Sequence, residues 1–322
     1  MTQGAFLRRI YRLPIGRVIR AIGGFFYIEP CDDSAGALSQ SHKNTARKGE
    51  PLECSIRGKL KLDSEGIFVG DKVEFSVAAD GAGVITGIMP RETVLKRPYI
   101  ANVNLIVLVF AHRNPEPNDY LMAKFLVLAE TSGVPYMIVL NKTDLASKSE
   151  SRKLVDTYRN YGYQVLCTSV VTHVGKRILQ KALANKVAVL AGPSGVGKSA
   201  LVNMVAPGYQ LQTGLLSEKI GRGKHTTREV QLLQIKPESF IADTPGFSQI
   251  SLDFLKPPEL AGSFPDFEAY LNLCKFKTCL HQSEPGCAVK TAVSDGEISP
   301  KRYQCYLDLL TEIREAWENR YR

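Results

Sequence analysis

No long apolar run occurs in this chain of 322 residues. The longest wholly apolar stretch, Leu105 to Ala111 (LIVLVFA), spans seven residues, against roughly 20 needed to cross a bilayer as a helix. No secretory signal core is visible either. Acidic residues are missing from the first 28 positions, where Arg8, Arg9, Arg12, Arg17 and Arg20 stand. An acid-free, Arg-rich start can mark an organelle transit peptide. This segment is short of serine and runs straight into strand-like sequence, so a soluble cytoplasmic protein is the expectation. Internal repeats and heptads are also missing. Seven cysteines, an odd number, do not make a disulfide framework, and three of them crowd with a histidine into residues 274–287, a pattern suited to a metal site in a reduced compartment.

What is present is ordinary globular material with a basic excess. Hydrophobic residues make up 44%, enough to offset the entropy of ordering and exclude a disordered chain. Lys and Arg number 41 against 32 Asp and Glu, a net charge of +9, which favours a polyanionic partner without proving one.

Three textures follow one another. Residues 14–90 read as short strands broken by turn residues: Gly16 to Ile28, Leu52 to Leu60, Asp71 to Ala78 and Gly83 to Met89, with a polar loop from Cys31 to Pro51. Five short strands with glycine corners suit a small closed barrel of the OB type, and other small barrels or sandwiches remain open. From residue 101 buried strands alternate with helices. Leu105–Ala111, Tyr136–Leu140, Gln164–Thr168, Val187–Ala191 and Phe240–Ala242 read as strands; 118–132, 152–161 and 174–184 read as helices. That alternation predicts a doubly wound α/β domain. Beyond about residue 255 prolines punctuate a linker, the cysteine cluster follows, and a helix closes the sequence. Its stripe of Tyr303, Tyr306, Leu307, Leu310, Ile313 and Trp317 reads as packing surface. The expected domains are 1–90, 91–255 and 256–322.

Gly192-Pro193-Ser194-Gly195-Val196-Gly197-Lys198-Ser199 fits G-x-x-x-x-G-K-[ST], with a buried strand before it and a helical pattern after it. Such glycines let the backbone N–H groups curl around phosphate oxygens at a helix N-terminus. Lys198 is placed to reach the β- and γ-phosphates and Ser199 to ligate Mg²⁺. At another strand end stands Asn141-Lys142-Thr143-Asp144. A carboxylate such as Asp144 can accept from both N1–H and the 2-amino group of guanine, whereas adenine would leave it facing a lone pair, a mismatch of about 1–3 kcal/mol. Asn141 would bond the loop and base, and the Lys142 stem would cover the purine face. Thr168-Ser169 sits where it can complete the base pocket.

Asp243-Thr244-Pro245-Gly246 follows a further strand: the Asp can hold Mg²⁺ through water and the Gly246 N–H can meet a γ-phosphate. Gly221-Arg222-Gly223-Lys224-His225-Thr226-Thr227 lies between this element and the phosphate loop, and Thr226 or Thr227 can sense Mg²⁺ and γ-phosphate together, ordering the loop with GTP. Phe247 and Ser248 stand where many GTPases place a water-orienting Gln. A Phe cannot hydrogen-bond water, so slow intrinsic hydrolysis dependent on a partner is expected. His225 is a candidate for positioning that water, with an exposed loop histidine as the other reading. The base element precedes the phosphate elements, the reverse of the ordinary order, which is the mark of a circular permutation. Cys274-x4-Cys279-x-His281-x5-Cys287 supplies the Cys₃His set of a closed structural zinc site.

A barrel, a permuted GTPase and a Cys₃His appendage together resemble the ribosome small-subunit-dependent GTPase A (RsgA) family. The likeness is carried by Gly70-Asp71-Lys72-Val73, Asn141–Asp144, Gly192–Ser199, Gly221–Thr227, Asp243–Phe247, the four zinc-type ligands and Glu284-Pro285-Gly286. It implies a GTPase that binds the maturing small ribosomal subunit and its RNA late in assembly, is stimulated by it, and couples hydrolysis to release; a monomer is the separate expectation. In the base pocket Thr168-Ser169-Val170-Val171 departs from the family's usual S-A-K form, so only Ser169 is carried over there. A GTP-gated RNA-binding switch with incidental turnover is the alternative, and a P-loop ATPase or small-molecule kinase is disfavoured by Asp144.

Overall fold

The computed structural model describes residues 13–31, 51–56, 66–78, 81–96, 98–206, 208, 230–243 and 251–319. The chain divides into two compact units. One comprises Met1–Asn102 with Glu229–Leu233, the other Val103–Arg228 with Gln234–Arg322.

The first unit is a closed five-stranded barrel. Its strands are β1 (Ile15–Ile22), β2 (Phe25–Pro30), β3 (Leu52–Ile56), β4 (Lys72–Val77) and β5 (Gly83–Ile88). Pairing runs β1-β2-β3-β5-β4 and returns from β4 to β1, with only β3–β5 parallel. This is the Greek-key closure expected of an OB-like barrel, which leaves no long free edge. The stretch Gly16 to Ile28 holds two of the five strands. Gly23 and Gly24 adopt φ of 58° and 87°, the positive values a tight hairpin turn needs. A register shift between Val18 and Arg20 bends β1 so that it can pair on both sides. The interior is filled by alternating residues: Val18, Phe26, Ile28, Cys54, Val73, Phe75 and Ile85. A short hairpin, β6 (Val94–Lys96) and β7 (Tyr99–Ala101), closes the unit.

In the second unit, β8 (Leu105–Ala111), β9 (Tyr136–Asn141), β10 (Val165–Cys167), β11 (Val187–Ala191) and β13 (Ser239–Asp243) form a sheet in the order β10-β9-β8-β11-β13, with every one of these pairings parallel. Strand β12 (Gln231–Lys236) precedes β13 through a turn at Pro237 and Glu238. All seven residues of β8 and all five of β11 are buried, as continuous apolar strands covered on both faces must be. The connecting helices are α1 (Asp119–Thr131), α2 (Lys148–Asn160), α3 (Lys176–Ala182) and α4 (Lys198–Val205). Helix α2 starts four residues before the expected 152. Ser147 and Glu150 form a reciprocal capping box there, which satisfies two otherwise unpaired N–H groups.

After β13, three 3-10 turns between Pro257 and Leu273 lead to α5 (Ala288–Ser294) and α6 (Pro300–Glu318). Tyr306, Leu310 and Ile313 are fully buried, and Tyr303, Leu307 and Trp317 pack against the same core. The packing role read from the sequence therefore holds. Helix α6 is pinned to α1 by Lys124 and Tyr120, which both bond Glu312. No helix among the described residues is long and apolar enough to cross a membrane.

Candidate functional site

Because β8, β9, β10, β11 and β13 run parallel, their carboxyl ends share one edge of the sheet, where ligands of open α/β sheets bind. Asn141, Thr168, Gly192 and Asp243 all stand at these ends. The chain order, base-type loop before phosphate-type loop, still brings both loops to one edge of the sheet.

The loop from Gly192 to Gly197 is shaped by contacts that only glycine allows. A Cβ on Gly192, at φ 143°, would lie 2.0 Å from the Val109 carbonyl oxygen, and one on Gly197, at φ 97°, would lie 2.5 Å from Asn141 Nδ2. Gly197 also leads directly into α4, so the loop sits at a helix N-terminus, whose free N–H groups and dipole attract anions. Lys198 Nζ donates to the Gly192 and Pro193 carbonyls at 2.8 and 2.7 Å. Burial lowers this ammonium to about 8, because a cation out of water without an anion is disfavoured. A phosphate at the loop would reverse that. Ser199 is buried directly after it.

The base-type loop is fastened to the phosphate loop. Asn141, 2% exposed, donates from Nδ2 to the Val196 carbonyl at 2.9 Å and accepts from Thr168 Oγ1 at 3.1 Å. Lys142 takes a left-handed backbone, φ 59°. Its ammonium donates to the Gly195 carbonyl at 2.7 Å and to that of Asn114, stretching its stem across the site. Thr143 bonds the Thr168 carbonyl through both N–H and hydroxyl. The fully buried Ser169 hydroxyl donates to Asp144 Oδ1 and accepts from the Thr172 N–H. A carboxylate is acceptor-only, so that serine fixes which way Asp144 faces.

Sequence reasoning gave Thr168 only a weak part and missed the loop after β8. Thr168 orients Asn141, and the Asn114 carbonyl anchors Lys142. Asn114 acts through its backbone carbonyl and has no motif of its own, so nothing in the sequence singles it out. Thr226, Thr227, His225 and the rest of 221–227 lie outside the described residues, as do Thr244, Pro245, Gly246, Phe247 and Ser248.

The second cluster joins Cys274, Cys279, His281 and Cys287, whose ligand atoms all lie within 4.8 Å of one another. Cys274 Sγ is 3.5 Å from His281 Nδ1 and 4.0 Å from Cys287 Sγ, and His281 Nδ1 is 3.4 Å from Cys287 Sγ. Metal–sulfur bonds of about 2.3 Å and metal–nitrogen bonds of about 2.0–2.1 Å at tetrahedral angles put neighbouring donors about 3.5–3.8 Å apart. The donor set and its spacing fit a metal ion. Burial holds the Cys279 thiol up at about 12 and keeps the His281 imidazole neutral, the form in which a histidine ligates. The ligand loop is rigid for identifiable reasons. Burial would raise the Glu284 carboxyl, but the N–H groups of Leu280, Gln282 and Ser283 bond it and hold it near 2. From α6, Tyr303 and Tyr306 donate to the His281 and Leu280 carbonyls.

A family model described as RsgA GTPase matches residues 88–253. A small ribosomal subunit biogenesis GTPase RsgA from Alkaliphilus metalliredigens is 42% identical over 302 residues, covering 93% of this chain and 98% of that relative. The chain belongs to the RsgA GTPase family. A second relative bearing the same description, from Caldanaerobacter subterraneus subsp. tengcongensis, is 39% identical over 307 residues, with coverages of 95% and 98%. Among solved structures, YjeQ from Thermotoga maritima superimposes with a TM-score of 0.77 at 33% identity, covering 93% of this chain and 98% of its own. YloQ, described as a circularly permuted GTPase, gives 0.73 at 32%, with coverages of 97% and 98%. This RsgA-family chain is accordingly a GTP-hydrolysing enzyme with a permuted GTPase fold.

Proposed function

We propose that this chain is a GTPase of small ribosomal subunit biogenesis that binds the subunit through its RNA and is switched by it. The observation that carries the reading is the hydrogen-bonded junction of base loop and phosphate loop, Asn141 to Val196 and Lys142 to Gly195. It makes two separated sequence elements one guanine-nucleotide pocket. In this pocket Asp144, set by Ser169, accepts from the guanine N1–H and 2-amino groups, while Asn141, Lys142 and Thr143 hold the loop around the ring. The N–H groups of Gly192, Ser194, Gly195, Val196 and Gly197 face the phosphates, and Lys198 releases its two carbonyls to pair with the β- and γ-oxygens.

The donor chemistry of the Ser199 hydroxyl, in the first turn of α4, and of the Asp243 carboxylate, at the end of β13, suits Mg²⁺, which when bound neutralises phosphate charge. Thr226 or Thr227 and Gly246 would sense the γ-phosphate. Phe247 cannot orient the attacking water, so His225, brought in when the subunit docks, is its candidate guide. Cys274, Cys279, His281 and Cys287 would hold a structural zinc ion, which would clip residues 274–287 together, while Tyr303 and Tyr306 fasten that loop to α6. Functionally, residues 1–90, together with the β6–β7 hairpin of the same unit, serve as the RNA-binding part, the rest of 91–255 as the GTPase and 256–322 as the zinc-binding part, acting as a monomer in the cytoplasm and leaving the subunit on hydrolysis. The relatives' description as small ribosomal subunit biogenesis GTPases supports the partner.

The test is GTP turnover with and without purified small subunits. Stimulation of at least tenfold is expected. An unchanged rate, with GTP still altering subunit affinity, would instead make the protein a GTP-gated RNA-binding switch.

A further inference from the structure

The first unit carries a built aromatic stack beside an exposed lysine. Asp71 is fully buried and takes Arg91 bidentately, Nε to Oδ1 at 2.8 Å and Nη2 to Oδ2 at 2.9 Å. It also accepts the Phe68 N–H at 2.8 Å. Arg91, further tied to the Gly66 carbonyl, lies 4.1 Å from the centre of the Phe68 ring. Tyr99 stacks on Phe68 with centroids 5.0 Å apart and planes 23° from parallel.

The hairpin explains why the tyrosine points outward. Leu95 and Ile100 are a buried pair, so the adjacent pair Lys96 and Tyr99 falls on the opposite, solvent face. Ile100 also bridges to Val69, which sets Tyr99 beside Phe68. Tyr99 remains 56% exposed, so only part of its ring is used by Phe68. Lys96, its cross-strand neighbour, is exposed, and no carboxylate pairs with it among the described residues.

A rigid, half-covered aromatic ring with an exposed lysine opposite it on the neighbouring strand matches the two parts of a nucleotide. Bases of any identity stack on such a ring, and the adjoining phosphate takes the cation. An OB-like barrel and a +9 chain supply the setting. We propose that Tyr99 is the stacking platform for an unpaired base of small-subunit RNA, with Lys96 holding a neighbouring phosphate. This rests on the reading of the subunit as partner. It adds a named contact that neither the sequence motifs nor the nucleotide site implies.

The test uses the full chain and its Tyr99→Leu, Tyr99→Phe and Lys96→Ala variants, bound to purified small subunits and to a short single-stranded RNA carrying 2-aminopurine. Tyr99→Leu keeps an apolar cover on Phe68 but removes stacking. It should weaken both interactions about 5- to 100-fold and abolish the quenching of 2-aminopurine, while Tyr99→Phe stays within threefold of the parent. Lys96→Ala should reduce the slope of log affinity against log salt by roughly 0.7–0.9. GTP hydrolysis without subunits should not change in any variant. Parent-like binding by Tyr99→Leu would overturn the platform while leaving the subunit reading intact. Weakened subunit binding with intact RNA binding would also overturn it, because the ring would then meet a ribosomal protein. Failure of the parent chain to bind subunits at all would sink the underlying reading. The RNA arm would still judge the platform separately.

Discussion

Replacing Asp144 by Asn should exchange guanine for xanthine as the preferred base. The Ser169 hydroxyl donates to Asp144 Oδ1, so in D144N the amide oxygen stays on Ser169 and the amide nitrogen turns toward the nucleobase. Two donors, the new N–H and the guanine 2-amino group, then face one another. Hydrogen bonds to a charged acceptor contribute about 1.5–3 kcal/mol, and a buried donor left unpaired costs about 1–3 kcal/mol. Their sum, roughly 2.5–6 kcal/mol, corresponds to about 10²- to 10⁴-fold weaker GDP binding. Xanthine carries a carbonyl where guanine carries the amino group, so xanthosine diphosphate should regain much of the loss. Competition against a fluorescent guanosine nucleotide measures both. GDP affinity within threefold of the parent would refute the placement of Asp144. A loss for GDP with no gain for xanthosine diphosphate would refute the orientation assigned to Ser169.

Two further outcomes follow from the same geometry. Lys198 without an anion sits near 8, so nucleotide affinity should be flat below that pH. As pH rises above it, affinity should fall toward tenfold per unit, because each binding event must then take up a proton; a titration by calorimetry that stays flat from pH 7 to 9.5 would contradict this. Cys274→Ser should drop bound zinc below about half an equivalent by metal analysis. If losing the clip costs about 2–3 kcal/mol, the melting temperature should fall by roughly 5 °C or more, whereas unchanged zinc content would remove Cys274 from the ligand set.

The elements legible in the sequence are those whose chemistry is local. Gly192–Ser199 and Asn141–Asp144 announce themselves because each is a contiguous loop between a strand and a helix-type pattern, and β8 and β11 because unbroken apolar runs have few other homes. The Gly23–Gly24 turn lies inside a loosely alternating stretch, and its two adjacent glycines take the positive φ that lets the strand reverse. The β6–β7 hairpin escaped notice because three-residue strands are shorter than any period can register. Thr168, Ser169 and Asn114 meet the nucleotide loops only after β8, β9 and β10 align, and no spacing rule contains that alignment. The metal set was readable from residue type, but not its support. Tyr303 and Tyr306 look like ordinary packing residues until their hydroxyls are found on the His281 and Leu280 carbonyls.

Calorimetric titration of the parent chain with GTP and, separately, ATP bears most directly on whether the base and phosphate loops enclose one guanine-selective cavity. GTP should bind at about one site per chain and ATP at least roughly 100-fold more weakly, since adenine leaves Asp144 unpaired. Equal affinity for the two nucleotides would contradict the account.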